Sequence, residues 1–596
     1  MLYRTVLAAG LAALCLAATC RAEEAGGNRI MTEKKTVTLK LRVKDEAGKP
    51  LPFRGELWSG DRRVDSVWSS DGAGELRAPE GRSTLLVRHG FDYDAVEMDL
   101  NLGLEAKEVT KEVTLRRRFD LREIGWVGGE NHMHGQHGKK DPPRTFKDGA
   151  RLAAADGLDY LQIAYAWEPT FSWVPSEELE KWSREASTPQ VAVRWNTETP
   201  KCYMGEDDGG EKGNLHCYGH GNPIGLKDNS KGKEFFHTGP AFRAIQEIHR
   251  QGAVVLCAHP VRFWFNKGNF VSNWASELPF DYVAGCGYDG VDVLNDSPLL
   301  FFQSERLWWN LLNMGYKVAG TGNSDGSLGD PHGVGRFRTY MKIDGEFSWD
   351  KIAEAVRRGA CIASSGPMVL FEVDGRPSGT EFPADGKELK ATVRAWSAPL
   401  PGETLLAVQL VRNGEVVRAW DLRKEKLREW KIEFPVGGDD AFAWYAVRVL
   451  STCRNRESLA NWGPDVCEVA VANPVYFVPR GFKRPVTTFA RVELTVQDEA
   501  GRPVAARVAV IDADVGIAKV EVPASGLLAF QAPPTASFKV TADGFKEERR
   551  SLYLDTAIFG YCRNMNLLWP SLYSPETWRE LRQMLGAMDV KVIMKK

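Results

Sequence analysis

Asn131-His132-Met133-His134 places two imidazoles two residues apart. Side chains alternate along an extended strand, so His132 and His134 would point the same way. Two histidines on one face can grip a single divalent ion. His137 follows closely, giving three histidines in six residues. The chain has ten histidines, and all but His89 lie between His132 and His332. Metal-assisted chemistry is therefore expected in the middle third.

The surrounding pattern supplies elements able to position such ligands. Phe146 to Ala155 has helical spacing, Gly157 can end it, and Leu158 to Ile163 reads as a strand. Ala241 to Arg250, Gly252 and Val254 to Ala258 repeat the unit, as do Glu305 to Met314, Gly315 and Tyr316 to Gly320. Trp349 to Arg358 reads as a last helix. Repeated helix, glycine and apolar strand predict a parallel α/β barrel or doubly wound sheet, with active groups in the loops after strand ends. Those positions hold His132 and His134, Trp167-Glu168, His259-Pro260, Asn295-Asp296 and Asn323-Ser324-Asp325.

The flanks change rhythm. Val37 to Val43 alternates, Asp45 to Pro50 is a turn, and no helical periodicity precedes Arg118. Near the C-terminus Val492 to Pro503 reads VELTVQDEAGRP, against LKLRVKDEAGKP over Leu39 to Pro50. That is an internal repeat of strand, turn and strand. It resembles the carboxypeptidase regulatory-like β-sandwich found beside many exported enzymes. Met368 onward opens another alternating region reaching about Pro479. The expected division is a leader over 1–22, a β-sandwich over 36–118, a barrel over 119–360, a sandwich over 361–480, and a sandwich with a short terminal helix over 488–596.

The N-terminus has the pattern of an export signal: Arg4, an apolar run from Val6 to Ala18 too short to span a bilayer, then small residues before Ala22. Cys20 raises a lipoprotein reading, but Leu16 is one residue too far away and Thr19 directly precedes the cysteine, so ordinary cleavage is favoured. The expected location is periplasmic or extracellular, with no membrane span. The formal net charge of -2 argues against a nucleic-acid partner. Eight cysteines follow the leader without any C-x-x-C pair. Cys202 with Cys217, and Cys453 with Cys467, are possible local bridges, and buried free thiols are the alternative.

Taken in order, these motifs resemble the PHP superfamily (polymerase and histidinol phosphatase), specifically the exported CehA/McbA-type metallohydrolases. The resemblance rests on Glu130-Asn131-His132-Met133-His134, Ala258-His259-Pro260, Gly290 to Asn295, Gly322 to Asp325 and Arg338-Thr339-Tyr340, and covers roughly 119 to 400. It implies a distorted seven-stranded (β/α)7 barrel and hydrolysis of phosphoester, carbamate, amide or ester-type bonds. It makes His132, His134, His259 and Asp325 metal ligands, puts Glu198 where the family has a bridging glutamate, and makes His216 the counterpart of another ligand. Two motifs depart from the pattern. Ala164-Tyr165-Ala166 stands where the family has Thr-Asp-His, and Ser327 where it has a final histidine. His332 could replace that histidine, with Glu168 or His137 partly repairing the other loss. The expected cofactor is one zinc, manganese or iron ion rather than a full cluster.

The substrate would be a small molecule or polysaccharide. Trp167, Trp173, Trp195, Trp264 and Trp274 fall in the expected rim loops, where they could stack on a sugar or pack the loops. Arg262, Arg336 or Arg338 could neutralise an anionic substrate; no general acid or base is assigned. His220, His237 and His249 read as surface or helix residues. The competing reading is a degenerate barrel that binds a carbohydrate or cell-surface polymer. Absence of H-E-x-x-H and G-x-S-x-G disfavours a helix-borne zinc protease and a serine hydrolase.

Overall fold

The computed structural model describes residues 36–103, 105–135, 144–164, 174–199, 220–230, 240–261, 263–266, 269–272, 278–295, 301–512, 516–553, 555–558, 561–562 and 575–596. The expected leader, Cys20, His137, Trp167, Glu168, Trp173, Cys202, His216, Cys217, His237, Arg262, Trp274 and Asp296 lie outside the described residues, as does the Trp264 side chain. Among the described residues no helix is long and apolar enough to cross a membrane.

The two ends of the chain are the same module. At the N-terminal end Thr36–Lys44 is central in a three-stranded sheet, paired antiparallel to Ala73–Pro79 and parallel to Glu108–Thr114. At the C-terminal end Ala490–Asp498 is paired antiparallel to Leu527–Ala532 and parallel to Met588–Met594. Each module has a second sheet of four strands in the same order. The repeated turn has a local cause. Oδ1 of Asp45 accepts from the backbone N–H groups of Ala47 and Lys49 at 3.0 and 2.9 Å. Oδ1 of Asp498 does the same for Ala500 and Arg502, at 2.9 Å each. Gly48 and Gly501 supply the left-handed residue at φ 80° and 78°.

Between them is a central α/β region. Its strands are β1 (Trp126–His134), β2 (Tyr160–Ala164), β3 (Ala192–Asn196), β4 (His220–Ile224), β5 (Val254–Ala258), β6 (Gly290–Asn295), β7 (Ala319–Asn323), β8 (Gly326–Ser327), β9 (Arg338–Lys342) and β10 (Cys361–Ser364). Its helices include α1 (Phe146–Ala155), α2 (Ser176–Ala186), α3 (Ala241–Arg250), α4 (Leu278–Val283), α5 (Phe301–Asn313) and α6 (Trp349–Arg358). A reciprocal capping box between Thr145 and Asp148 starts α1, whose face Phe146, Ala150, Leu152 and Ala153 is buried. Ser348 caps α6, and Gly359 ends it at φ 70°. Gly129 is required in β1, because a Cβ there would meet the Tyr160 ring at 2.5 Å.

Strands β3-β2-β1 are parallel neighbours, β9 pairs antiparallel with β1, and β10 pairs antiparallel with β9. A second sheet runs β4-β5-β6-β7, parallel except for β4, which opposes β5. The two sheets do not share one continuous ladder among the described residues. At one seam Thr199 and Gly221 exchange backbone hydrogen bonds of 2.9 and 2.7 Å. At the other, side chains replace a strand. Thr339 Oγ1 accepts from Gly322 N and donates to Gly322 O, both at 2.9 Å, and Asn473 does the same for Gly320 at 2.7 Å. These contacts satisfy the backbone groups on the outer edge of β7.

The first sheet crosses position 361 without a break: β10 pairs with Cys467–Val478, which pairs with Ala443–Thr452 and onward to Leu405–Arg412 and Glu415–Asp421. The register there pairs Thr452 with Cys467. Cys453 and Cys467 are thereby on opposite faces, and both are free thiols. The local bridge considered for them does not form.

Candidate metal centre

β1 delivers two histidines to the interior. His132 and His134 are 0% and 1% exposed, and Met133 between them faces the core on the opposite side. Glu198 follows β3 by two residues, His259 directly follows β5, and Asp325 follows β7 by two. These positions converge at one rim. Glu198 Oε1 lies 3.4 Å from His132 Nε2 and 3.1 Å from His259 Nε2, while Glu198 Oε2 lies 3.5 Å from His134 Nε2. Asp325 Oδ1 lies 3.1 and 3.2 Å from the Nε2 atoms of His132 and His134, and Oδ2 lies 3.7 Å from His259. Ligand atoms of His132, Glu198, His259 and Asp325 all fall within 4.8 Å of one another.

A sixth member comes from a residue read as surface or helix. His220 is 3% exposed, and its Nδ1 lies 2.5 Å from Glu198 Oε1. It opens β4, the strand that runs against its neighbour, and pairs with Ala258 at the far end of β5. Reversal of β4 brings its first residue to the rim where the other strands end. A rule that looks only after strand C-termini passes over it, although His220-Gly221-Asn222-Pro223-Ile224 is legible as a short segment before a helix.

Two of the ligand candidates have unusual backbones. His259 has φ 28° and Asp325 φ 50°. Positive φ on a residue other than glycine costs energy, more so for His259 before Pro260, and persists where the surroundings over-determine it. At Asp325 the clamp is visible: Glu130 accepts from Ser324 N at 2.7 Å and from Ser324 Oγ at 2.5 Å.

The electrostatics are those of mutually compensating buried charges. Burial pushes the Glu198 carboxyl up, but His220 and His132 outweigh it and hold it well below the usual carboxylate range. Burial lowers His132, but Asp325 and Glu198 outweigh it and raise it above the usual imidazole value. Burial pushes Glu130 up to about 8 against the Ser324 hydrogen bonds.

The donor set suits a divalent ion. Imidazole nitrogens with carboxylate oxygens form a mixed set of the kind zinc, iron and manganese accept. Among the described residues neither buried ring nitrogen of His132 makes a well-aligned hydrogen bond, although Nε2 lies at ion-pair distance from Asp325 and Glu198, and that would be costly unless something else satisfies them.

Other expected site residues stand elsewhere. His332 is not brought to the cluster. Its Nδ1 is 2.7 Å from Arg54 and 3.5 Å from Glu56, both on the N-terminal sandwich, and its ring packs edge-on to Trp68. The sandwich docks on the turn between β8 and β9 and captures it. Arg338 is 2% exposed, with its guanidinium spent on Gly335 O and Asp156 O and lying 3.7 Å from the Phe91 ring centroid. It is a buried packing residue whose guanidinium is held by those two carbonyls and that ring. Trp195 is likewise buried in β3, donating to Glu180 at 2.9 Å. Ser327 pairs with His134 along the β8–β1 ladder.

No family model matches the chain, and no curated protein matches it. Among solved structures, a two-domain protein from Bacteroides vulgatus containing a predicted PHP-like metal-dependent phosphoesterase is 15% identical with a TM-score of 0.31, over 54% of this chain and 90% of that one. The major pilin subunit BcpA of Bacillus cereus is 7% identical with a TM-score of 0.20, over 94% of this chain and 100% of that one. β-Glucuronidase 3 of Bacteroides uniformis is 9% identical with a TM-score of 0.14, over 84% of this chain and 72% of that one. At these scores the likenesses carry no argument, and the site speaks through its own geometry.

Proposed function

We propose that the protein is an exported hydrolase dependent on one divalent metal ion, acting on a phosphoester or a carbamate, amide or ester-type bond of a small molecule or polysaccharide. The observation that carries this reading is the convergence of His132, His134, Glu198, His259 and Asp325, with His220 on Glu198, in one buried cluster. In this reading β1 to β7 form the distorted barrel whose rim carries the site. The first five residues hold the ion, and His220 orients Glu198. A divalent ion at such a site acts as a Lewis acid that makes hydroxide accessible near neutral pH and polarises the oxygen under attack.

The chain's own groups do the rest. Glu198 and Asp325 are acceptors that orient a proton-bearing nucleophile, and their two negative charges offset the charge of the ion. Glu130 and Ser324 keep Asp325 in its left-handed conformation. The test is hydrolysis of bis-p-nitrophenyl phosphate and p-nitrophenyl acetate by chelated and by zinc-, manganese- or iron-reloaded protein. Turnover of either substrate that is lost on chelation and restored by metal is expected. Equal rates with and without metal would overturn the reading.

A further inference from the structure

Beneath the cluster, buried amides form one connected chain across five strands. Asn196 Nδ2 on β3 donates to Asn222 Oδ1 on β4 at 3.2 Å and to the carbonyl of Asn131 on β1 at 2.8 Å. The N–H of Asn131 donates to Asn323 Oδ1 on β7 at 2.8 Å, and its side-chain amide does so at 3.3 Å. Asn323 Nδ2 donates to Asp292 Oδ1 on β6 at 2.6 Å. Asp292 also accepts from Thr321 Oγ1 at 2.6 Å and from Asn295 Nδ2 at 3.0 Å. Asn131, Asn222, Asp292 and Asn323 are 0% exposed and Asn196 is 1%.

The spacing of this belt tracks the metal cluster. Asn196 precedes Glu198 by two residues, Asn222 follows His220 by two, Asn323 precedes Asp325 by two, and Asn131 directly precedes His132. Asn196 also accepts from the N–H of Thr197 at 2.7 Å, fixing the turn into Glu198. Apolar side chains could fill these sites without the desolvation cost of five polar groups. Asn131 Oδ1 and Asn222 Nδ2 have no hydrogen-bond partner among the described residues, but the directional bonds the belt does make join five strands in a single arrangement.

We propose that the belt from Asn222 to Asp292 is a positioning device. It locks the ligand-bearing strand ends in register, so that His132, Glu198, His220 and Asp325 are held for the ion before it binds. This rests on the metal reading above. Asn323 is its hub, since it joins β1 to β6 through both ends of one amide. The role of Asp292 is to accept hydrogen bonds rather than to supply charge. An amide at 292 would still accept from Thr321 and Asn323 through Oδ1, and its NH2, placed where Asn295 Nδ2 now donates, would be met by Asn295 Oδ1 once that amide turns over, an oxygen with no hydrogen-bond partner among the described residues.

The experiment is zinc affinity of the full chain by competition with a chromophoric chelator, for wild type, Asn323→Ala, Asp292→Ala and Asp292→Asn, beside the thermal midpoint of each metal-free protein. Asn323→Ala and Asp292→Ala are expected to weaken zinc about 10–100-fold, the range for lost outer-shell partners. Asp292→Asn should stay close to wild type. Should Asn323→Ala fail to fold by circular dichroism, Asn196→Ser replaces it, with the same loss expected. Wild-type zinc affinity in both alanine variants would overturn the belt and leave the metal reading standing. So would an Asp292→Asn loss as large as that of Asp292→Ala. A wild-type chain that takes none of zinc, manganese and iron in the same competition would overturn the metal reading itself.

Discussion

Nε2 of His132 lies 3.1 Å from Oδ1 of Asp325, joining the end of β1 to the turn after β7. The two side chains are 0% and 3% exposed, and the second sits on a left-handed backbone. This contact closes the cluster between the first and last strands that build it. Asp325→Asn keeps the size and the hydrogen bonds of the turn but removes the charge facing His132 and His134. It is expected to weaken zinc by at least about 100-fold, more than an outer-shell loss, with the far-ultraviolet circular dichroism unchanged. Chelator competition measures it.

The two histidines that exchanged expectations separate site from scaffold. His220→Ala should lower zinc affinity about 10–100-fold, because Glu198 loses the group 2.5 Å from its Oε1. His332→Ala should leave zinc affinity at the wild-type value, because its partners are Arg54 and Glu56. The same titration on both variants checks the pair.

The contact of the N-terminal sandwich with the central region is a buried ionic hub. The Arg54 side chain is 1% exposed and reaches Glu56, Asp156 and His332. Arg54→Met leaves Glu56 short of a partner in the interior, and breaking such a pair costs about 3–5 kcal/mol. Urea unfolding should report that loss, while zinc affinity stays unchanged.

His89 gives a pH dependence with a definite sign. Burial holds its imidazole uncharged down to about 4, against about 6.5 in an unfolded chain. Between those values the unfolded chain binds the extra proton, so stability is full above pH 6.5 and falls as pH drops towards 4. The contribution lost is about 3 kcal/mol. His89→Leu removes it, so urea unfolding at pH 7 and pH 4 should show wild type losing about that much more than the variant.

The helices were legible where a buried face and a glycine stop coincide. Phe146–Ala155, Ala241–Arg250 and Trp349–Arg358 have the expected bounds. Val254–Ala258 was equally clear, being a short apolar run between Gly252 and His259. β7 was displaced three residues towards the C-terminus, because Thr321-Gly322-Asn323 carries no apolar signal and is held by Thr339 and Asp292. In the site, His132, His134, His259 and Asp325 were visible as residue types at strand ends, and Glu198 only through the family resemblance. His220 was not, since the direction of β4 depends on pairing with β5 rather than on local pattern. His332 and Arg338 misled for a related reason. Both face the N-terminal sandwich or the turn beside it, and a contact with Arg54 or Phe91, hundreds of residues away, leaves no trace in local spacing.

The most direct test of the central claim is the metal content of the purified chain by elemental analysis, after equilibration with zinc, manganese or iron and removal of loose ions. The geometry predicts one tightly held equivalent of at least one of these metals, lost in a His132→Ala, Asp325→Ala double variant that remains folded. No metal above background for any of the three, or the same content in the double variant, would contradict it.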